Sequence, residues 1–107
     1  CRAAAEASFS KIGFSVSGEM DAPHHTPADS PLVKALLKCY EQYTDYKGEC
    51  LAIGGGTYVH DIPGGVAFGC CMPGFNGNMH GADEHTCIAD QLTAAKIFTQ
   101  AIIDLCG

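Results

Sequence analysis

Positive charge is scarce in this 107-residue chain, where six lysines and arginines stand against twelve aspartates and glutamates for a formal charge of −6. Cations this few and this scattered build no phosphate-neutralising patch, so nucleic acid is excluded as a partner. Long apolar runs are missing too, and none approaches the ~20 residues of a membrane-spanning helix. The seven cysteines, at 1, 39, 50, 70, 71, 87 and 106, form no C-x-x-C pair, which removes a zinc ribbon and a thioredoxin-type motif. Cys70 and Cys71 are adjacent, but neighbours on a strand point to opposite faces and do not converge on one ion. Neither H-E-x-x-H, H-x-D nor G-x-S-x-G occurs, and no cysteine has an identifiable base partner, so a serine or cysteine hydrolase is poorly supported. No signal peptide is visible, and the thiols fit buried residues in a reducing, cytoplasmic compartment.

The composition, 47% hydrophobic and 17% charged, suits one small globular domain with a thin core. Residues 2–12, "RAAAEASFSKI", are Ala-rich and helix-prone yet start with no N-cap signal, as if a helix had been cut partway along; a fragment of a longer chain is expected. Gly13 is a C-cap, and "FSVSGEM" alternates Phe14, Val16 and Met20 with polar residues as a half-buried strand. Residues 21–29, with two prolines and no periodicity, read as a linker. Ser30 followed by Pro31 is a strong helix start, and Leu32, Val33, Leu36, Leu37, Tyr40 and Tyr43 form its apolar stripe up to Gly48. "ECLAIG" and "GVAFG" read as short apolar strands. A last helix from about Asp90 places Leu92, Ala95, Thr99, Ile102, Ile103 and Cys106 on one face. The order predicts an α/β fold, a small α-β-α-β-β-α arrangement, in which the apolar strands want cover on both faces.

Two stretches carry chemistry. In "IGGGTYVH", glycines at the carboxyl end of a strand let a ligand approach bare backbone, and N–H groups around Gly55, Gly56, Thr57 and Tyr58 would favour a carboxylate or a developing oxyanion. A plain tight turn explains the same residues. The segment matches neither phosphate-binding glycine motif. Of the histidines, 24 and 25 lie in the linker, where solvated imidazole is expected, and His60 sits in a loop. His80 stands in "GFNGNMHGADEH" among small residues and the carboxylates Asp83 and Glu84, an accessible imidazole with acceptors nearby. One histidine alone makes no metal site.

"DSPLVKALLKCYEQYT", "LAIGGGTYVHDIPGGVAFG" and "MHGADEHTCIADQLTAAKIFTQAI" resemble, in that order and spacing, the carboxyl-terminal part of the M20 metallopeptidases, in particular their Xaa-His dipeptidase (PepV-like) branch. The resemblance covers residues 30–106, and residues 1–20 look like the end of that family's lid domain. It implies a two-zinc dipeptide hydrolase, in which a metal-activated water attacks the peptide carbonyl. By position it makes His80 a ligand of one zinc, the only one this chain would supply. Gly55, Gly56 and Thr57 become the loop lining the substrate pocket, and Glu84 becomes a supporting acid. The family's H-x-D, its Glu-Glu pair with the general base, its other carboxylate ligands and its lid histidine and arginine have no counterpart here. The resemblance divides the chain into a lid remnant at 1–28 and the end of the catalytic domain at 29–107.

The expectation is therefore the C-terminal segment of a cytoplasmic di-zinc dipeptidase, inactive by itself and prone to self-association through the edges and uncovered sheet face of apolar strands that lack their neighbours. A small binding module using the glycine loop for an anionic ligand, or an association domain, are the alternatives from other classes.

Overall fold

The structure is a computed structural model that describes residues 2–18, 22–69 and 71–107. Its three α-helices are α1 (Arg2–Phe9), α2 (Pro31–Tyr43) and α3 (Ile88–Cys106), with 3-10 turns at Ser10–Ile12 and Tyr58–Asp61. The start of α2 follows from its sequence. Ser30 is extended at φ −60°, ψ 147°, and its hydroxyl accepts from the Val33 amide, while Pro31 occupies a position whose N–H would have no partner. Gly13 closes the first helical segment in the left-handed region at φ 82°, as its C-cap role requires. α2 ends at Tyr43, before Gly48, because the Thr44 hydroxyl donates to the Tyr40 carbonyl at 2.8 Å and its backbone turns extended.

α2 and α3 pack on each other and hold the core. Leu36, Cys39, Met72, Ile97 and Ala101 form its buried cluster, with Leu32, Tyr40, Val66 and Phe68 against it. The Phe68 ring meets Phe98 edge-on at 5.6 Å. α3 uses an unexpected face for this. Ala94, Ile97 and Ala101 are buried, whereas Leu92, Ile102 and Ile103 are 61%, 64% and 56% exposed. At 100° per residue the two sets lie on roughly opposite sides of the helix. α3 is apolar on both sides.

The expected α/β fold is corrected: among the described residues there is no strand. Apolar alternation predicts which side chains want burial, but a strand exists only through hydrogen bonds to a neighbouring one. Among the described residues every backbone hydrogen bond outside the helices closes a local turn or cap, the longest running from the His85 amide to the Gly77 carbonyl. "ECLAIG" and "GVAFG" find no strand partner among the described residues. Leu51 and Ile53 are 82% and 66% exposed, while Val66 and Phe68, two residues apart, still turn inward onto the helices. In the first expected strand Phe14 is exposed, and Met20 lies outside the described residues, as does Cys70 of the Cys70–Cys71 pair. No helix among the described residues is long and apolar enough to cross a membrane.

Candidate functional site

The glycine stretch runs into the 3-10 turn at Tyr58–Asp61. Thr57 begins it: extended at φ −137°, ψ 162°, it accepts from the Val59 amide through its hydroxyl at 3.1 Å and from the His60 amide through its carbonyl at 3.1 Å. The turn then continues through the Ile62 amide to the Val59 carbonyl and the Gly65 amide to the Ile62 carbonyl, at 3.0 and 2.9 Å. Gly54, Gly55 and Gly56 are not in the left-handed region, and a Cβ added at any of them would meet nothing within 4 Å. Neither backbone conformation nor crowding within the described residues requires glycine there. Gly65 differs, because a Cβ there would come within 2.8 Å of Val59 Cγ2 and 3.0 Å of Ile62 Cγ2. Its lack of a side chain lets the turn close.

The other end of the turn is held by the linker. His24 Nε2 lies 2.7 Å from the Gly65 carbonyl oxygen, to which the Thr26 hydroxyl donates at 2.6 Å. A carbonyl oxygen only accepts, so the His24 proton sits on Nε2. The His24 ring also tilts against that of His60, with centroids 5.8 Å apart. The solvated state expected of His24 is therefore corrected, whereas His25 is exposed. These contacts join residues about forty positions apart, and no short-range pattern signals them.

His80 lies in a loop with unusual backbone. Asn78, His80 and Asp83 all have positive φ, at 52°, 63° and 55°. Asn and Asp tolerate this region because their short polar side chains bond locally. The Asn78 amide is held by Asn76 Oδ1 at 3.1 Å, and the Asn78 carbonyl accepts from the Gly81 amide at 2.7 Å. The His85 amide donates to the Gly77 carbonyl at 3.0 Å, closing the loop, and Gly77 leaves no room for a Cβ against the His85 carbonyl. His85 Nδ1 donates to the Asp83 carbonyl at 2.8 Å, and its ring meets Phe75 edge-on. The result is a tight loop with an exposed imidazole. An open groove of about 370 Å³ beside it is lined by Met72, Phe75, Met79, Glu84, His85 and Asp90 among others, but not by His80.

No group of three His, Cys, Asp or Glu side chains able to hold a metal ion occurs among the described residues. His80 offers one donor where zinc takes three or four from protein, so these residues do not fit a complete zinc site.

The family model of Peptidase family M20/M25/M40 matches residues 10–104, and the chain belongs to that family. It is 45% identical over 83 residues to "Putative dipeptidase YtjP" of Bacillus subtilis (strain 168), which takes in 78% of this chain and 18% of that protein. It is 38% identical over 85 residues to "Beta-Ala-Xaa dipeptidase" of Lactobacillus delbrueckii subsp. lactis, covering 79% of this chain and 18% of the relative. A "Putative dipeptidase" of Staphylococcus epidermidis (strain ATCC 12228 / FDA PCI 1200) is 32% identical over 99 residues, 92% of this chain and 21% of that protein. The chain thus spans about a fifth of the length of these curated relatives. No solved structure matches it significantly.

Proposed function

We propose that this chain is the C-terminal segment of a cytoplasmic di-zinc dipeptidase of the PepV-like branch, with residues 1–28 from its lid and 29–107 from its catalytic domain. The observation that carries this reading is the glycine stretch. Three consecutive glycines have no positive φ and open space where side chains would be, so nothing among the described residues makes use of their bareness. A substrate approaching the backbone does. Gly55 and Gly56 leave their N–H groups reachable by a dipeptide carboxylate or carbonyl, and Thr57 fixes where the loop ends.

His80 supplies one imidazole toward a zinc whose other ligands lie outside these 107 residues. The left-handed backbone at His80 and the short bonds around it hold that imidazole out from the loop. Glu84 supports the loop's surroundings and takes no part in bond cleavage. The free 107-residue chain hydrolyses no dipeptide, because a lone histidine assembles no metal centre.

Purified chain and the longer polypeptide that carries it are assayed for zinc-dependent hydrolysis of dipeptides. The expected result is turnover by the longer protein only. Zinc-dependent turnover by the 107-residue chain overturns the fragment reading, and inactivity of the longer protein toward every dipeptide overturns the dipeptidase reading.

A further inference from the structure

The linker does more than connect. Pro23 and Pro27 bracket the segment, and proline restricts both its own φ and the residue before it, so the chain between them is stiff. His24 and Thr26, two residues apart, turn to the same side, while His25 faces solvent. Both inward residues meet one atom. The Gly65 carbonyl oxygen has two lone pairs, and they take His24 Nε2–H at 2.7 Å and the Thr26 hydroxyl at 2.6 Å.

From Gly65 a chain of bonds leads back to the glycine loop: the Gly65 amide to Ile62, the Ile62 amide to Val59, and the Val59 amide to the Thr57 hydroxyl. The His24 ring touches the same turn a second time, through His60. On the other side of Gly65, Val66 packs against the α2–α3 core. Gly65 is the point at which core, linker and glycine loop are tied together.

We propose that His24 and Thr26 are positioning residues that clasp the Gly65 carbonyl, so that the linker sets the place of the glycine loop and with it the affinity for the dipeptide. This rests on the reading of Gly55, Gly56 and Thr57 as substrate-contacting. The linker joins the two segments proposed to come from lid and catalytic domain, and the clasp couples its path to substrate binding.

The test has two arms. Amide hydrogen exchange of the 107-residue chain is compared between the unaltered protein and Thr26→Val, alone and with His24→Phe. Loss of the clasp speeds exchange at the amides of His60, Ile62 and Gly65 by about tenfold, while amides in α2 and α3 keep their rates and report that the core is intact. Unchanged exchange at these three amides overturns the clasp. In the longer polypeptide, Thr26→Val raises KM for dipeptide about tenfold with kcat within about twofold, and Thr26→Ser, which keeps the hydroxyl, restores KM. Should Thr26→Val with His24→Phe unfold the chain, Thr26→Val alone, which removes one of the two donors to the Gly65 carbonyl, carries the exchange test. Faster exchange with an unchanged KM overturns the positioning role. Faster exchange together with an unaltered polypeptide that cleaves no dipeptide defeats the dipeptidase reading and leaves the clasp standing.

Discussion

The Cys39 thiol, with no exposed surface, donates to Asp104 Oδ2 at 3.6 Å across the α2–α3 seam. The other carboxylate oxygen, Oδ1, accepts from Gln100 Nε2 at 2.7 Å, and Gln100 Oε1 accepts from the Tyr43 hydroxyl at 3.0 Å. Four side chains from two helices thus form one polar line along the edge of an apolar contact. Burial and the adjacent Asp104 charge push the Cys39 thiol above its ordinary range, since both disfavour the thiolate.

The sign of the pH effect follows. In the unfolded chain Cys39 ionises at an ordinary thiol value, while in the folded chain it holds its proton to higher pH. The folded state therefore binds more protons above that value, and stability from this group is full below it and lost as pH rises through the folded pKa. Urea unfolding should show a decline at alkaline pH that is smaller in Cys39→Ala than in the unaltered chain. A thiol reagent at neutral pH should modify Cys50, Cys71 and Cys106, which are exposed, long before Cys39. Early modification of Cys39 in folded protein would contradict the packing.

The two faces of α3 separate by mutation. Ile97 is 3% exposed in the core and Ile103 is 56% exposed, although both are isoleucines on one helix. Ile97→Ala should cost about 2–4 kcal/mol by transfer and cavity terms, enough to unfold a chain with so few buried residues, and Ile103→Ala should stay within about 0.5 kcal/mol. Thermal or urea unfolding of the two variants in monomeric, dilute protein checks this. A larger cost for Ile103→Ala than for Ile97→Ala would mean that α3 sits on α2 by its other side.

How far the sequence carries is visible on that same helix. The start of α2 was legible because its signal is local: Ser30 and Pro31 act on amides within three residues. Gly13 was legible for the same reason. The orientation of α3 was not, since apolar residues line both sides and periodicity alone does not say which side meets α2. The strands failed for a related reason: "CLAIG" has the side chains of a strand, but pairing is a property of two segments, and no second one is present among the described residues. At the candidate site, the Thr57 hydroxyl caps the 3-10 turn two residues on, a local contact of the same kind. The grip of His24 and Thr26 on Gly65 bridges about forty residues and leaves no local trace.

The exposed side of α3 is a surface through which self-association is predicted. Ile88, Leu92, Ile102 and Ile103 expose more than half their surface, and an apolar stripe in water gains by meeting another. Sedimentation of the 107-residue chain should show dimers or larger species at high concentration. Leu92→Glu with Ile102→Glu should shift it to monomer without loss of helicity, because neither residue is in the α2 contact. A strictly monomeric unaltered chain at millimolar concentration counts against association through this face.

Gly56→Val tests the glycine loop. With no positive φ and no neighbour within 4 Å, valine is neither strained nor crowded there, and stability should change by less than about 0.5 kcal/mol. Two methyl groups would nevertheless stand where a substrate must reach the backbone. In the longer polypeptide KM should rise about tenfold or more while the melting temperature holds. A parallel loss of stability and activity would mark the loop as a structural turn, and full activity would remove it from the substrate pocket.

His80 permits the sharpest substitution, because its backbone conformation supplies a control. At φ 63° an alanine is strained and an asparagine is not, so His80→Asn removes the imidazole while keeping the loop, whose neighbours Asn78 and Asp83 already adopt that conformation. If His80 is a zinc ligand in the longer polypeptide, His80→Asn should lose one of two zinc ions on dialysis and lower turnover by about two orders of magnitude or more, with an unchanged melting temperature of the metal-free protein. His25→Ala, at an exposed linker position outside the clasp, should retain both ions and its rate. Zinc content is read directly by atomic absorption, independently of catalysis. An asparagine variant that keeps two zincs and near-normal turnover would remove His80 from the metal centre, and the loop would then be explained only by its own tight folding between Gly77 and His85.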